Sequence, residues 1–405
     1  MLVFRSRIVD VWAEPTAPIR SWRRELLDLP VATLLLAVSI VMVGFLSPKL
    51  GAGLVLTDLL IGAMIVASLV HRLRGDWLAG DVARQIAVPS FVVILGALVG
   101  SLYAGLRGWI ISDLMRDVAV ILAFLAAMDI LRRGGARATR LCFGALGICI
   151  LLGSIQLAAA GGNELRASGT FPNPNVAANL LAMALLCWSA APFRWSVRLF
   201  VMGVALTGLL STASFGAMLQ LGTGFGYLAI THAGRARNLI RGRRLIAIVP
   251  LLLVALIGVF AFTQLGGGPG KSGFNQDRFD RSGSLRFDVW IEAIERLPDA
   301  PWGVGPGSVR ALDLNANATE LHNEPLAYLV ERGVIGLFGL LLLWFVLVRL
   351  SPPGTPARAM VLAYILGSFF RETLHYRHFW LFLALALVTA EQARRTQPQP
   401  ELALT

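Results

Sequence analysis

Pro301-Trp302-Gly303-Val304-Gly305-Pro306-Gly307 and His322-Asn323-Glu324-Pro325 stand late in residues 264–332, the one long polar stretch of an otherwise apolar chain. The same stretch carries Arg278, Arg281 and Arg286. Apolar runs near the length of roughly 20 residues needed to cross a bilayer lie on both sides, so it reads as an extramembrane loop held by membrane scaffold. Composition agrees: of 405 residues 56% are hydrophobic and 15% charged, and the mean hydropathy is +0.69. Such values demand many membrane spans.

Outward from the loop, apolar runs fall at 31–47, 51–70, 86–106, 109–131, 141–160, 174–191, 196–212, 214–231 and 245–263, then at 325–348, 357–373 and 378–393. The expected fold is an all-α integral membrane protein of about 12 transmembrane helices, with one long outward-facing, partly helical loop between the ninth and tenth. The boundaries follow: 1–30 a cytoplasmic interfacial segment with Trp12, Trp22, Arg20, Arg23 and Arg24; 31–263 spans one to nine; 264–324 the outer loop; 325–393 spans ten to twelve; 394–405 a cytoplasmic tail.

The net charge of +12 could suggest a nucleic-acid partner, but its placement excludes one. With the N-terminus in the cytoplasm, alternate loops receive Arg72, Arg74 and Arg84; Arg132, Arg133, Arg137 and Arg140; Arg194 and Arg198; Arg235, Arg237, Arg241, Arg243 and Arg244; Arg349 and Arg358; and Arg394 and Arg395. The other short loops hold only Lys49, Arg107, Arg166, Arg371 and Arg377. Excess Lys and Arg marks cytoplasmic loops, so residues 264–324 face outward, away from cytosolic nucleotides. Cys142, Cys149 and Cys187 fall inside spans and read as packed thiols.

Within the loop, Phe287, Trp290, Ile294 and Leu297 recur at helical spacing, which predicts a short amphipathic helix over 284–297 with these residues on its packed face. Residues 266–272 resemble a phosphate loop, but Leu265 stands where its first glycine belongs, so they read as a connector. Asp113, Arg116 and Asp117 are spaced to neutralise one another within one helix. Asp58 is a further partner or an interfacial residue. His375 and His378 have spacing compatible with a metal but lack a ligand set around them, so packing with Tyr376 and Trp380 is preferred.

Pro325 suits the start of the tenth helix, with Glu324 or Asn323 as cap. His322 then lies beside a helix N-terminus, whose dipole favours an anion and a neutral imidazole, the state a general base needs. Arginines upstream offer bidentate contacts to phosphate oxygens. The alternative on these residues alone is a capping histidine among ordinary surface arginines.

His322-Asn323 followed by Glu331-Arg332-Gly333-Val334-Ile335-Gly336-Leu337 resembles the signature of the O-antigen ligase/polymerase superfamily. Ser282-Gly283-Ser284-Leu285-Arg286-Phe287-Asp288-Val289-Trp290 resembles its arginine-bearing segment, residues 301–307 its glycine turn, and Gly169-Thr170-Phe171-Pro172-Asn173-Pro174-Asn175 its motif before the sixth helix. The resemblance implies a GT-C-like, metal-independent and cofactor-free glycosyltransferase of the bacterial plasma membrane. It would move a saccharide from a polyprenyl-diphosphate-linked oligosaccharide donor, such as an undecaprenyl diphosphate carrier, to a glycan or lipid-linked sugar acceptor, as in lipopolysaccharide or other polysaccharide assembly. On this resemblance His322 is the base and Arg286 holds the diphosphate. Arg278, Arg281, Asn323, Arg166, Arg371 and Arg377 are the substrate-binding candidates. Ligase and polymerase remain equally open, because they differ only in acceptor.

One position departs from the resemblance. Many relatives carry an arginine in a Ser-Arg-Gly motif opening the eighth helix, where this chain reads Ser214-Phe215-Gly216. Arg371, followed by Glu372, is the favoured substitute. The competing reading from another class is an anion or solute transporter, against which stands the absence of a recognisable internal repeat.

Overall fold

A computed structural model describes residues 30–43, 49–51, 54–104, 108–160, 174–212, 214–236, 276–311 and 321–396. The expected ninth span, the connector at 266–272, the N-terminal interfacial segment and Arg166 lie outside the described residues. Among the described residues the regular secondary structure is helical apart from one short hairpin, β1 (Lys49–Gly51) with β2 (Leu54–Val55). The helices are α1 (Val31–Val43), α2 (Leu56–Leu73), α3 (Gly80–Ala104), α4 (Gly108–Ala160), α5 (Pro174–Trp188), α6 (Trp195–Ser211), α7 (Phe215–Ala236), α8 (Gln276–Glu295), α9 (Glu324–Leu350), α10 (Pro356–Ser368) and α11 (Arg377–Arg395). α2, α3, α4 and α9 are long and apolar enough to cross a membrane, and α1, α5 and α6 are apolar but shorter.

α4 replaces an expected connection. The arginine-rich segment 132–140 continues the helix instead of forming a loop, with one break at Gly135 (φ 58°, ψ −144°). On the first limb Asp117 pairs with Arg332 (2.5 Å), while further along Arg132 bonds Glu391 (2.7 Å). On the second limb Thr139 accepts from Gln392 (3.0 Å), the neighbour of Glu391. Both limbs therefore meet the last turns of α11 beside the break, and a glycine supplies the left-handed backbone that the reversal requires.

α5 and the first half of α11 are buried nearly all round, as expected of helices at the centre of a bundle. Phe124 of α4 meets Trp380 edge-on (5.4 Å), and Phe143 meets Trp188 (6.3 Å). α3 packs closely on α9, where Gly96 and Gly100 face α9. A Cβ on Gly96 would lie 2.8 Å from the Arg332 carbonyl oxygen, and one on Gly339 would lie 2.7 Å from the Val93 nitrogen. Small residues four apart let backbones approach this closely in a membrane.

The bundle has two chemically distinct ends. At one end lie His322, the N-termini of α7, α9 and α11, and the last turns of α3. At the other, Arg132 and Arg133 bond Asp76, Asp81, Asp129 and Glu391, and Arg394 and Arg395 end α11.

Candidate active site

The site is built on a break in α9. Gly333 (φ 62°, ψ −168°) interrupts this helix, which deprives the carbonyls of Val330 and Glu331 of their i+4 donors. The glycine turn fills the gap: Val304 N–H donates to the Val330 carbonyl (3.0 Å) and Gly305 N–H to the Glu331 carbonyl (2.8 Å). Gly303 (φ 91°) fits only because it lacks a side chain, since a Cβ there would lie 2.5 Å from the Gly333 nitrogen. The Glu331-Arg332-Gly333 signature thus has three separate jobs. The Glu331 carboxylate meets the N–H groups of Gly307 and Val309. Arg332 pairs with Asp117 and lies 4.3 Å over the Tyr328 ring. Gly333 makes the break.

α9 begins at Glu324, so Pro325 is its second residue. Asn323 is the cap, its Oδ1 accepting from Leu326 N–H at 3.0 Å. Glu324 is buried: its Oε2 accepts from the Tyr364 hydroxyl (2.9 Å) and its Oε1 from Leu374 N–H (2.6 Å). It therefore ties the start of α9 to the segment joining α10 and α11. His322 is the one non-glycine residue with a left-handed backbone among the described residues (φ 53°). Histidine tolerates that region better than most residues, though at a cost.

Two flanking elements clamp the segment before His322. Trp290 Nε1 of α8 donates to the Leu321 carbonyl (2.6 Å), and Glu372 Oε1 accepts from Leu321 N–H (3.1 Å). Arg286 lies one turn before Trp290 on the same helix, and Arg371 immediately precedes Glu372. Burial, then the charge of Arg371, pushes the Arg286 guanidinium below its ordinary value. The two arginines are thus close enough for their charges to interact, and among the described residues neither has a carboxylate partner. Arg371 is buried; its Nε donates to the Tyr376 hydroxyl (2.6 Å), while its Nη1 has no hydrogen-bond partner among the described residues. A buried guanidinium with an unmet donor suits an incoming anion.

The remaining candidates fall around this pair. Arg377 is paired with Asp58, and Arg116 with Asp113 (3.0 Å). Arg278 and Arg281 lie in the first two turns of α8. His375 sits amid Arg116, Arg332, Arg371 and Arg377; burial first, then those four charges, lowers its pKa to about 3. It is neutral at any ordinary pH. His378 is buried, stacked on Tyr376 (5.3 Å), with Nε2 bonded to Asn179 Oδ1 (2.7 Å), while Asn179 Nδ2 donates to Gln220 Oε1 (2.9 Å). Among the described residues no group of His, Cys, Asp and Glu could hold a metal.

Phe215, where the resemblance expects arginine, opens α7. A Cβ on the adjacent Gly216 would lie 3.9 Å from the Phe370 Cβ, so the residue preceding Arg371 packs beside that very position. α8 also differs from expectation. It starts at Gln276 and buries Val289 and Ala293 against Val309, Leu321, Ala327 and Val330, with Trp290 half-buried; Phe287, Ile291 and Ile294 are exposed. Beside a membrane the apolar stripe can face lipid while smaller residues face protein.

Sequence reasoning missed Glu324 as an anchor, Glu372 and Trp290 as the clamp, and the Arg332–Asp117 pair. Only the small-residue spacing of Gly96 with Gly100 carried a readable signal for the helix contact beneath them.

No curated protein matches the chain. Residues 199–341 match the family model described as O-antigen ligase, a span that runs from α6 through the glycine turn and His322 into α9. That segment is thus similar to the O-antigen ligase family, which supports the resemblance to the O-antigen ligase/polymerase superfamily read from the motifs.

Proposed function

We propose that the protein is a metal-independent membrane glycosyltransferase of the ligase or polymerase type. It transfers a saccharide from a polyprenyl-diphosphate-linked donor to a hydroxyl of a glycan or lipid-linked acceptor, at the outer face of the bacterial plasma membrane. In this reading the chain crosses the bilayer about 12 times, and residues 264–324 lie outside the cytoplasm. The acceptor oxygen attacks the anomeric carbon, the bond from that carbon to the diphosphate oxygen breaks, and the hydroxyl proton passes to His322. Arg286 and Arg371 take up the charge that develops on the leaving diphosphate. Arg371 stands in for the arginine missing at Phe215. Arg377, held by Asp58, adds to the local field, and Arg166, Arg278 and Arg281 serve the donor's outer phosphate or the acceptor. Asn323 acts through the cap that fixes His322.

What supports this most is one observation: two arginines without carboxylate partners among the described residues, each carried by an element that also hydrogen-bonds Leu321. The test is reconstitution in vesicles with a polyprenyl-diphosphate oligosaccharide, an acceptor glycan and a chelator. Release of polyprenyl diphosphate with a lengthened or newly labelled glycan is the expected result, and the labelled species separates ligase from polymerase. An intact donor under these conditions overturns the reading.

A further inference from the structure

At the end of the bundle opposite His322, α2, α3 and α4 enclose a cleft of about 330 Å3. Its walls are apolar, with Ile65 and Leu69 from α2, Ile86 from α3, and Ile121 and Leu125 from α4. Trp77 forms one side, fixed by its Nε1–H bond to Ser68 Oγ (3.0 Å) and by the Arg72 guanidinium 5.0 Å from its ring centre. Arg72 and Arg84 line the cleft and are both exposed.

The carboxylates nearby are already engaged. Asp76 pairs with Arg133, Asp81 and Glu391 with Arg132, and Asp129 with His71 and Arg133. Among the described residues none pairs with Arg72 or Arg84, and Arg84 Nε reaches only the Gly80 carbonyl, at 3.4 Å. Deeper in the wall, Ser90 Oγ is buried without a hydrogen-bond partner among the described residues. It lies six residues beyond Arg84, about 9 Å along the helix axis.

We propose that this cleft binds one anionic phospholipid. The phosphate sits between Arg72 and Arg84, a glycerol ester oxygen accepts from Ser90, and one acyl chain fills the apolar slot. A soluble anion would leave the apolar walls uncovered, and a zwitterionic lipid would compensate the two arginines less well. An anionic amphiphile answers both demands, and basic residues at a membrane surface attract such lipids. The site is remote from His322 and stands independently of the proposed transfer reaction.

The purified full chain in detergent is offered phosphatidylglycerol and phosphatidylcholine of matched chain length, and retained lipid is read by native mass spectrometry. Wild type should retain phosphatidylglycerol with a preference of about tenfold or more. Arg72→Ala with Arg84→Ala should abolish that preference while leaving phosphatidylcholine retention unchanged. Ala87→Trp, which fills the slot, should lower retention of both lipids. Free glycerol phosphate should not displace the bound lipid. Equal retention of the two lipids by wild type, an undiminished preference in the double variant, or displacement by glycerol phosphate overturns the proposal.

Discussion

Trp290 donates its indole N–H to the carbonyl of Leu321 at 2.6 Å, which couples α8 to the backbone entering His322. Because Arg286 lies one helical turn before Trp290, the same bond fixes how an arginine stands relative to the histidine. Glu372 does the equivalent from the other side, one residue after Arg371. Trp290→Phe removes one hydrogen bond, worth about 1 kcal/mol to stability. It should nevertheless slow glycan transfer by roughly tenfold or more, because small misplacements of catalytic groups are costly. Turnover and protein abundance, measured together in membranes, check this; unchanged turnover would remove the clamp from the account.

Arg286→Ala and Arg371→Ala should each reduce turnover by about 100-fold, as expected when a fixed charge at the leaving group is lost. Restoring an arginine at the family position, Phe215→Arg, in the Arg371→Ala background should recover part of the activity, because Phe215 opens the helix that packs beside Phe370. Transfer assays on the three variants check this. Full activity in Arg371→Ala contradicts the role given to Arg371.

Arg332 and Asp117 are both buried and 2.5 Å apart. Removing one partner strands a charge, a loss of about 3–5 kcal/mol. Asp117→Asn or Arg332→Met alone should therefore lower thermal stability sharply in detergent, whereas Arg332→Met with Asp117→Leu should lie close to wild type. A fluorescence melting curve separates these outcomes.

His375 gives a pH dependence. Its pKa in the folded protein is lowered to about 3, whereas an unfolded histidine titrates near 6.5. Between those values the unfolded chain holds the extra proton, so stability falls as pH drops through about 6.5. His375→Asn should remove part of that acid-side loss. Melting temperatures at pH 7.5 and 5 for both proteins check this; identical pH dependence contradicts it.

The helical character was legible because apolar length is a strong signal, and the start of α9 because caps are local, although the choice between Asn323 and Glu324 as the cap was not. What stayed hidden depends on partners far apart in the chain. Glu324 meets Tyr364 and Leu374, 40 and 50 residues away, and the Asp113-Arg116-Asp117 spacing disclosed the Arg116 pair but not the Arg332 pair. The packed face of α8 was misassigned because helical spacing finds an apolar stripe without saying whether protein or lipid covers it. Residues 132–140 looked like a loop because their arginines are polar, yet a single reversal at Gly135 allows both limbs to stay helical.

The most direct test is His322→Asn in the reconstituted transfer assay. Asparagine tolerates the left-handed backbone seen at this position (φ 53°) but is not a base. The variant should fold and melt like wild type while transfer from the polyprenyl-diphosphate donor falls by at least about 100-fold. Transfer within a few-fold of wild type would contradict the assignment of His322 as the base.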